Sequence, residues 1–442
     1  MKKVAKVMSA ALASALIVLA PSGTVQGKGL QPGDVLSKEN WQLAKGLLPP
    51  EILAHYKNGE YRNPILRWED GQYRWSQAFL KATQRNAQQL TLGKMGDIVD
   101  RASGKRPAYV SGFPFPNVTA DDPEAGIKIL WNHYFYWWNN GNVHNYVKIS
   151  WVSPRGLDRS ATQDVYFVYY QGQPRQYIPR KNPDDLLTQL LARTVDPADL
   201  NGTTALTWRY REPTKRDSAW AYVPALRRVR AVSPTNRSDG FLGSDLSQDD
   251  GPFFDGKPED FIWKLSGERD FLRLVDPYSL KGDYKRVPAP GGGWRGIFKK
   301  VPMVGFQDPG WKGSPWAPVS FGLARRRCWV IEGTPKDKYY LYKKIQLSID
   351  KETYQGAYNR KFDWQGELLN TYTVVASLTG DTNNNGDYYG NGSVVYQVAE
   401  NVKLDRATVV IPPLENGDPP NDRRIRLDPQ LFVAQALLRF GK

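Results

Sequence analysis

Apolar residues are spaced as in helices over roughly the first third of this chain and alternate with polar ones over most of the remainder. Ser37 is placed to cap a short segment holding Trp41, Leu43 and Leu47. Pro49 and Pro50 end that segment and start a second helix at Glu51, which stops near Asn58 and Gly59. From Ser76 to Leu90, the spacing of Phe79, Leu80, Thr83, Ala87 and Leu90 predicts a third. The clearest helix begins at Asp121, with a capping box to Glu124 and Pro123 in its first turn. Ile127, Leu130, Trp131, Tyr134, Phe135 and Trp138 then recur every three or four residues as one broad aromatic stripe. Leu186, Leu187, Leu190 and Leu191, after Asn182 and Pro183, predict another helix. A last one opens at Asp428 and Pro429 and carries Leu431, Phe432, Ala434, Leu437 and Leu438.

Between these the pattern is that of strands. Residues 146–152 and 165–170 form a first pair. Over 206–211 the alternation puts Trp208 and Tyr210 on one face, Arg209 and Arg211 on the other. Residues 219–223 and 227–232 are two short strands about Pro224. Ile345, Leu347 and Ile349 alternate with Lys344, Gln346 and Ser348; the chain turns at 350–353, returns over 354–362, and turns again into 368–376. Strands at 394–402 and 408–411 complete an antiparallel meander. No helix alternates with single strands, so a parallel βαβ sheet is excluded. Two irregular stretches, 233–260 and 279–316, are rich in Gly, Pro and Asp and too long for ordinary connections. They read as functional loops or ordered insertions.

The first residues carry a different signal. Lys2, Lys3 and Lys6 precede an uncharged apolar run from Val7 to Ala20, and Val25-Gln26-Gly27 offers small residues for cleavage. That run is short of the roughly 20 residues a membrane-spanning helix needs. Residues 1–27 are therefore expected to be a signal peptide, leaving 28–442 as one large exported domain with a helical region over about 37–140. No Cys follows the apolar run, so lipidation at a processed N-terminal Cys is not expected, and the expected location is the periplasm. The single cysteine, Cys328, forms no intramolecular disulfide, so the core must supply the stability.

Composition adds two points. With 15 Trp and 24 Tyr in a chain of mean hydropathy −0.56, aromatic rings either fill a β core or line a surface with their polar ends free. A formal charge of +15 suits nucleic acid, anionic lipid or an acidic partner, and export argues against nucleic acid. The densest basic clusters, Arg227-Arg228 with Arg230 and Arg325 to Arg327, read as solvated strand faces that also permit transient membrane contact.

Several segments resemble a known family. They include Leu48-Pro49-Pro50-Glu51, Gly112-Phe113-Pro114-Phe115-Pro116 and residues 128–132. Tyr210-Arg211-Glu212-Pro213, residues 221–230, residues 247–257 and residues 329–336 continue the match in order. Together they resemble the proteobacterial domain of unknown function 1329, described as outer-membrane lipoprotein-sorting protein-like. The resemblance implies a fold similar to the LolA/LolB carriers: mainly β with α, a strongly curved antiparallel sheet forming an incomplete barrel, with helices covering a concave face that holds acyl chains. Against that pattern, this chain is larger than a minimal carrier and lacks a lipidated N-terminal Cys.

On that fold, Trp131, Tyr134, Phe135 and Trp138 would cover the open mouth, as a lid or as permanent core. Trp208, Tyr210, Trp220 and Tyr222 would line the wall. An acyl chain gains about 0.8 kcal/mol per buried methylene, so it binds without polar recognition. Residues 381–387 reproduce the opening of a calcium loop, but position twelve is Gly392 and the segment lies between strands, so a polar hairpin loop fits better. The acids Asp239, Asp245, Asp249, Asp250, Asp255, Glu259 and Asp260 lack metal-ligand spacing and read as a solvated or Arg-paired loop. No catalytic motif accompanies His133, His144 or Cys328, which read as packed residues. The expectation is a non-enzymatic periplasmic carrier for a hydrophobic ligand or lipid, with no cofactor. A protein-interaction subunit, contacting an envelope transporter or an outer-membrane protein, and a hydrolase are the alternatives.

Overall fold

In the computed structural model, residues 29–440 are described, apart from 70, 234–236, 281–283, 299, 301, 382–387 and 414–418. The expected signal peptide and the calcium-like loop lie outside the described residues.

Helix α1 (Pro50–Asn58) starts on its prolines and ends at Gly59, whose φ of 81° a side chain would resist. Helix α2 (Gln77–Gln89) is capped by Ser76, whose hydroxyl accepts the Phe79 N–H at 3.3 Å. Helix α3 (Ala125–Trp138) begins four residues later than its sequence signal suggests. A turn over 119–122 intervenes, and Asp122, not Asp121, accepts the Glu124 N–H (2.8 Å) and pairs with Lys128.

The remaining chain is dominated by one antiparallel sheet. Its strands are β1 (Val143–Ser153), β2 (Gly156–Tyr169), β3 (Leu186–Asp196), β4 (Thr204–Tyr210), β5 (Ser218–Val223) and β6 (Arg228–Val232). Then come β7 (Phe261–Val275), β8 (Tyr284–Pro288), β9 (Trp294–Phe298), β10 (Gly322–Pro335) and β11 (Lys344–Asp350). β12 (Gly356–Phe362), β13 (Leu368–Asp381), β14 (Tyr388–Asn401), β15 (Arg406–Ile411) and β16 (Asn421–Arg423) complete it. The order is β6-β5-β4-β3-β2-β1-β15-β14-β13-β12-β11-β10-β7, with β16 joining β1 to the β8–β9 hairpin. Two meanders, β1–β6 and β10–β15, are thus fused where β1 pairs with β15. The outer strands β6 and β7 do not pair with each other, so the sheet is not closed into a barrel.

Every strand from β6 round to β13 contributes side chains to one cavity. Laid flat, those strands would span about 40 Å, so they converge only because the sheet curls. The two halves of the inner face are filled differently. Over β7 and β10–β13, α3 and Phe253 and Phe254 pack on Trp329, Ile331, Leu347 and Tyr372. The outer face of this half is covered by α1 and the segment around Trp316 and Phe321. Glu51 fixes α1 there, accepting from Arg360 Nε at 2.7 Å and Nη2 at 3.0 Å.

α3 lies close enough to β7 that a Cβ on Gly126 would stand 2.9 Å from the Lys264 backbone nitrogen. Gly126→Ala therefore forces the helix off the sheet, outweighing its gain in helix propensity. Denaturant unfolding is expected to register a loss of about 1–3 kcal/mol.

Three expectations of secondary structure are corrected. The segment read as a helix from Asn182 is a turn followed by β3. Leu190 faces the cavity while Leu191 is buried in the outer cluster, and a strand buried on both faces has apolar residues at both parities. The C-terminal helix is instead two 3₁₀ segments, Pro429–Phe432 and Ala434–Arg439. The Phe432 carbonyl accepts from Trp208 Nε1 (2.8 Å), and Val433 is extended, which breaks the helix. β7, not anticipated as a strand, and β10, anticipated only around Arg325 to Arg327, pair along almost their full lengths. Arg325 and Arg327 point outward to Asp270 and Glu268, whereas Arg326 is buried on Asp350. Among the described residues, no helix is long and apolar enough to cross a membrane.

Candidate functional site

The second half of the inner face, over β1–β5, is not filled. Across β3–β5 a row of inward positions is small: Ala192 of β3 stands opposite Ala205 of β4, which stands opposite Ala221 of β5. Thr207 and Ala219 form the neighbouring pair. Alternation sends Leu206, Trp208, Tyr210, Trp220 and Tyr222 to the other face. The space left is a cavity of about 380 Å³ whose exposed lining is mostly apolar. That volume lies within the usual range of small-molecule sites.

Its roof is the stretch after β6. Residues 237–260 cross the inner face from the β6 edge to β7, and Phe241, Leu246 and Pro252 line the cavity from above. Ion pairs hold this strap at each stage. Asp245 meets Arg406 of β15 at 3.0 Å. Asp250 pairs with Lys361 of β12, both 1% exposed. Arg237 meets Asp217 at 2.9 Å, Arg209 of β4 meets the same carboxylate at 3.0 Å, and Arg209 also reaches Asp255 at 3.3 Å. Asp249 is shared by Arg237 and the Tyr340 hydroxyl (2.7 Å). The acidic loop is thus Arg-paired, and its partners come mainly from the sheet, not from Arg227, Arg228 and Arg230.

Burial raises the Asp217 carboxyl, but Arg209 and Arg237 outweigh it and hold the group below its usual range. Asp255 goes the other way, pushed up to about 6 by burial. Glu259, at the strap's far end, is 5% exposed, and burial pushes it up to about 7. The sign follows. The folded state holds the Glu259 proton more tightly than the unfolded chain, so stability falls as pH rises from about 4.5 to 7. Glu259→Gln is expected to stabilise the protein by about 2–3 kcal/mol at pH 8 and by almost nothing at pH 4, measured by urea unfolding at both.

The eight residues expected to bind ligand fall into separate places. Trp131, Tyr134, Phe135 and Trp138 are at most 3% exposed and belong to the core. Trp131 Nε1 donates to the Gly96 carbonyl at 2.8 Å and Tyr134 to that of Gly256 at 2.5 Å. Trp208, Tyr210 and Tyr222 pack on Phe432 and Leu437, on the face away from the cavity. Of the eight, Trp220 alone is among the residues bordering the cavity, and its ring packs on Trp208 (5.2 Å) in the outer cluster. The α3 ring at the cavity is Trp137, followed by Asn140. The sequence signal for the wall was the small partner of each large residue in 204–210 and 218–223.

The other candidate groups are packed. His133 is fully buried, its Nδ1 donates to the Tyr354 carbonyl at 2.7 Å, and burial lowers its pKa to about 4. His144 stacks on Tyr166 with Nε2 2.8 Å from Asp164. Burial holds the Cys328 proton far above the range of a reactive thiol. Among the described residues, no three His, Cys, Asp or Glu side chains are grouped to hold a metal ion.

Residues 35–297 match the family model described as Protein of unknown function (DUF1329). The chain belongs to the DUF1329 family. An uncharacterized protein of Pseudomonas aeruginosa is 23% identical over 371 residues, covering 78% of this chain and 71% of its own. Among solved structures, the chain is similar to a domain named for outer membrane lipoprotein sorting from Vibrio parahaemolyticus (17% identity, 72% of this chain, 99% of that one, TM-score 0.46). A DUF1329 family protein from Desulfovibrio piger gives 17% identity, 69% and 97% coverage, and a TM-score of 0.43. The family match spans the helical region, β1–β7 and the strap, and so takes in most of the cavity's walls.

Proposed function

We propose that this DUF1329 protein is a periplasmic binding or carrier protein for a hydrophobic ligand, a lipid or lipid-like molecule, acting without covalent chemistry. The cavity carries the reading. Its wall is made of Ala and Thr where the outer face has Trp and Tyr, and its roof is pinned by buried ion pairs, so the space survives folding. Each methylene moved into it from water contributes about 0.8 kcal/mol, so about ten give micromolar affinity without polar recognition. The export signal expected at residues 1–27 supports a periplasmic site of action. His133 and Cys328, two groups weighed for covalent chemistry, are both fully buried.

The test is a titration of the purified protein with the neutral probe N-phenylnaphthylamine, followed by fluorescence. Saturable one-to-one binding is expected. Fluorescence that rises without saturation, or not at all, would overturn the reading.

A further inference from the structure

Among the described residues, Arg423 is a cavity-lining charge with no counter-charge in ion-pair contact. Arg423 is on β16, opposite Val143 of β1 on one side and Trp294 of β9 on the other. Strand alternation turns Asn421 and Arg423 toward the cavity and Asp422 away from it. Asp422 is taken up by Arg295, at 2.5 and 2.9 Å. Arg423 is only 2% exposed. Its Nη1 donates to the Asn145 side-chain oxygen and, at 2.9 Å, to the Asp422 carbonyl. Among the described residues, no carboxylate lies within ion-pair distance of it, and both of these hydrogen bonds leave from Nη1. The other cavity-lining guanidiniums, Arg209 and Arg237, are both engaged by Asp217 and Asp255.

A buried cation without a counter-charge is costly, and a guanidinium presents paired donors that match a carboxylate or phosphate. Burial lowers the pKa of Arg423 despite Tyr284, Tyr169 and Asp422, as expected of a charge short of compensation. The position of the group matters as much as its charge. Arg423 is level with Val143, and the cavity lining continues along β1 through Val147 to Ile149, six residues on. At strand rise this is on the order of 20 Å. Val165, Ala192, Ala205 and Leu246 flank that length.

We infer that the cavity takes a single-chain amphiphile, its anionic head on Arg423 and its chain along β1–β4 beneath the strap. This deepens the carrier reading and rests on it. The head is a carboxylate or a phosphate monoester; both suit the guanidinium, and the chain distinguishes either from a free anion.

The experiment is displacement of N-phenylnaphthylamine by hexadecanoate, hexadecyl phosphate, hexadecanol and inorganic phosphate, on the full-length mature protein and on Arg423→Gln and Arg423→Lys. Both anionic chains should displace the probe at concentrations at least about ten-fold below that of hexadecanol, the scale of one charged hydrogen-bonded contact. Inorganic phosphate should leave the probe bound. Arg423→Gln should bring the three chains together once each is referred to the probe's own affinity for that variant, and Arg423→Lys should keep part of the preference. Equal competition by hexadecanol and hexadecanoate on the unaltered protein would overturn the inference, and so would a preference that survives Arg423→Gln. Displacement by inorganic phosphate alone would overturn it too, marking a free-anion site. In all three cases saturable probe binding would leave the carrier reading standing; loss of probe binding in the unaltered protein would remove both. Should Arg423→Gln fail to fold, the comparison on the unaltered protein decides.

Discussion

Ala205→Phe is expected to abolish most probe binding while leaving the fold intact. Ala205 is in the middle of the row Ala192–Ala205–Ala221, facing the strap across the cavity. A phenyl ring there occupies space meant for ligand. If it displaces about three methylenes, the loss is about 2.4 kcal/mol, or roughly 50-fold in affinity. The ring enters an existing void, so thermal stability should hold or rise slightly. Trp208→Ala, three residues along the same strand on the opposite face, makes the contrasting case. It empties the cluster around Phe432 and frees a carbonyl that Trp208 Nε1 now satisfies, so stability should fall by about 3–5 kcal/mol. Probe affinity of the folded fraction should change little. The pair separates the inner wall from the outer one by fluorescence titration and melting temperature alone.

Lys361→Met should destabilise the fold as strongly as Trp208→Ala. Lys361 and Asp250 are both 1% exposed, and Asp250 also accepts the Ser247 N–H at 2.7 Å, so the strap cannot turn the carboxylate out to water. Burial already raises the Asp250 pKa against the pull of Lys361. Removing the ammonium leaves an uncompensated buried carboxylate, at a cost of about 3–5 kcal/mol near neutral pH. The deficit should shrink as pH falls and the group takes up a proton. Adding Asp250→Leu should recover most of the loss, because an apolar pair of similar volume has no charge to desolvate. Denaturant unfolding of the single and double variants at two pH values measures this. Probe binding should weaken in the single variant as well, since Asp250 borders the cavity and seats the strap.

Much of the architecture was legible in the chain. Pro49-Pro50, Ser76 and the aromatic stripe from Ile127 marked α1–α3, the alternation after Lys344 marked the second meander, and the strands read between 146 and 232 marked the first apart from β3. What misled was burial on two faces. In β3, Leu190 and Leu191 are both enclosed, so an apolar pattern that looks helical belongs to a strand. In β7 and β10, Arg and acid alternate because exposed cross-strand pairs face solvent on one side while Arg326 and Arg273 are buried on Asp350 on the other. Polar residues at both parities hid β7 and the length of β10 beyond Arg325 to Arg327.

The site was harder to read for a related reason. Aromatic residues advertise a wall, but a wall needs space in front of it. In β4 and β5 the large rings turn outward against the C-terminal 3₁₀ segments, and the small ones leave the void. Nor could spacing alone place the stretch after β6 in the roof, because its acids find partners on strands far along the chain. Arg423 gave no local signal at all; its isolation is set by which side of β16 it occupies.

The most direct test is photolabelling with a neutral long-chain alcohol carrying a diazirine at its far end, followed by peptide mapping. Adducts on peptides bearing Ile149, Ala192, Ala205 or Leu246, suppressed by excess hexadecanol, are the predicted result. Adducts confined to peptides bearing Tyr222, Phe432 and Leu437, or labelling that excess alcohol does not suppress, would contradict a ligand chain between the inner wall and the strap.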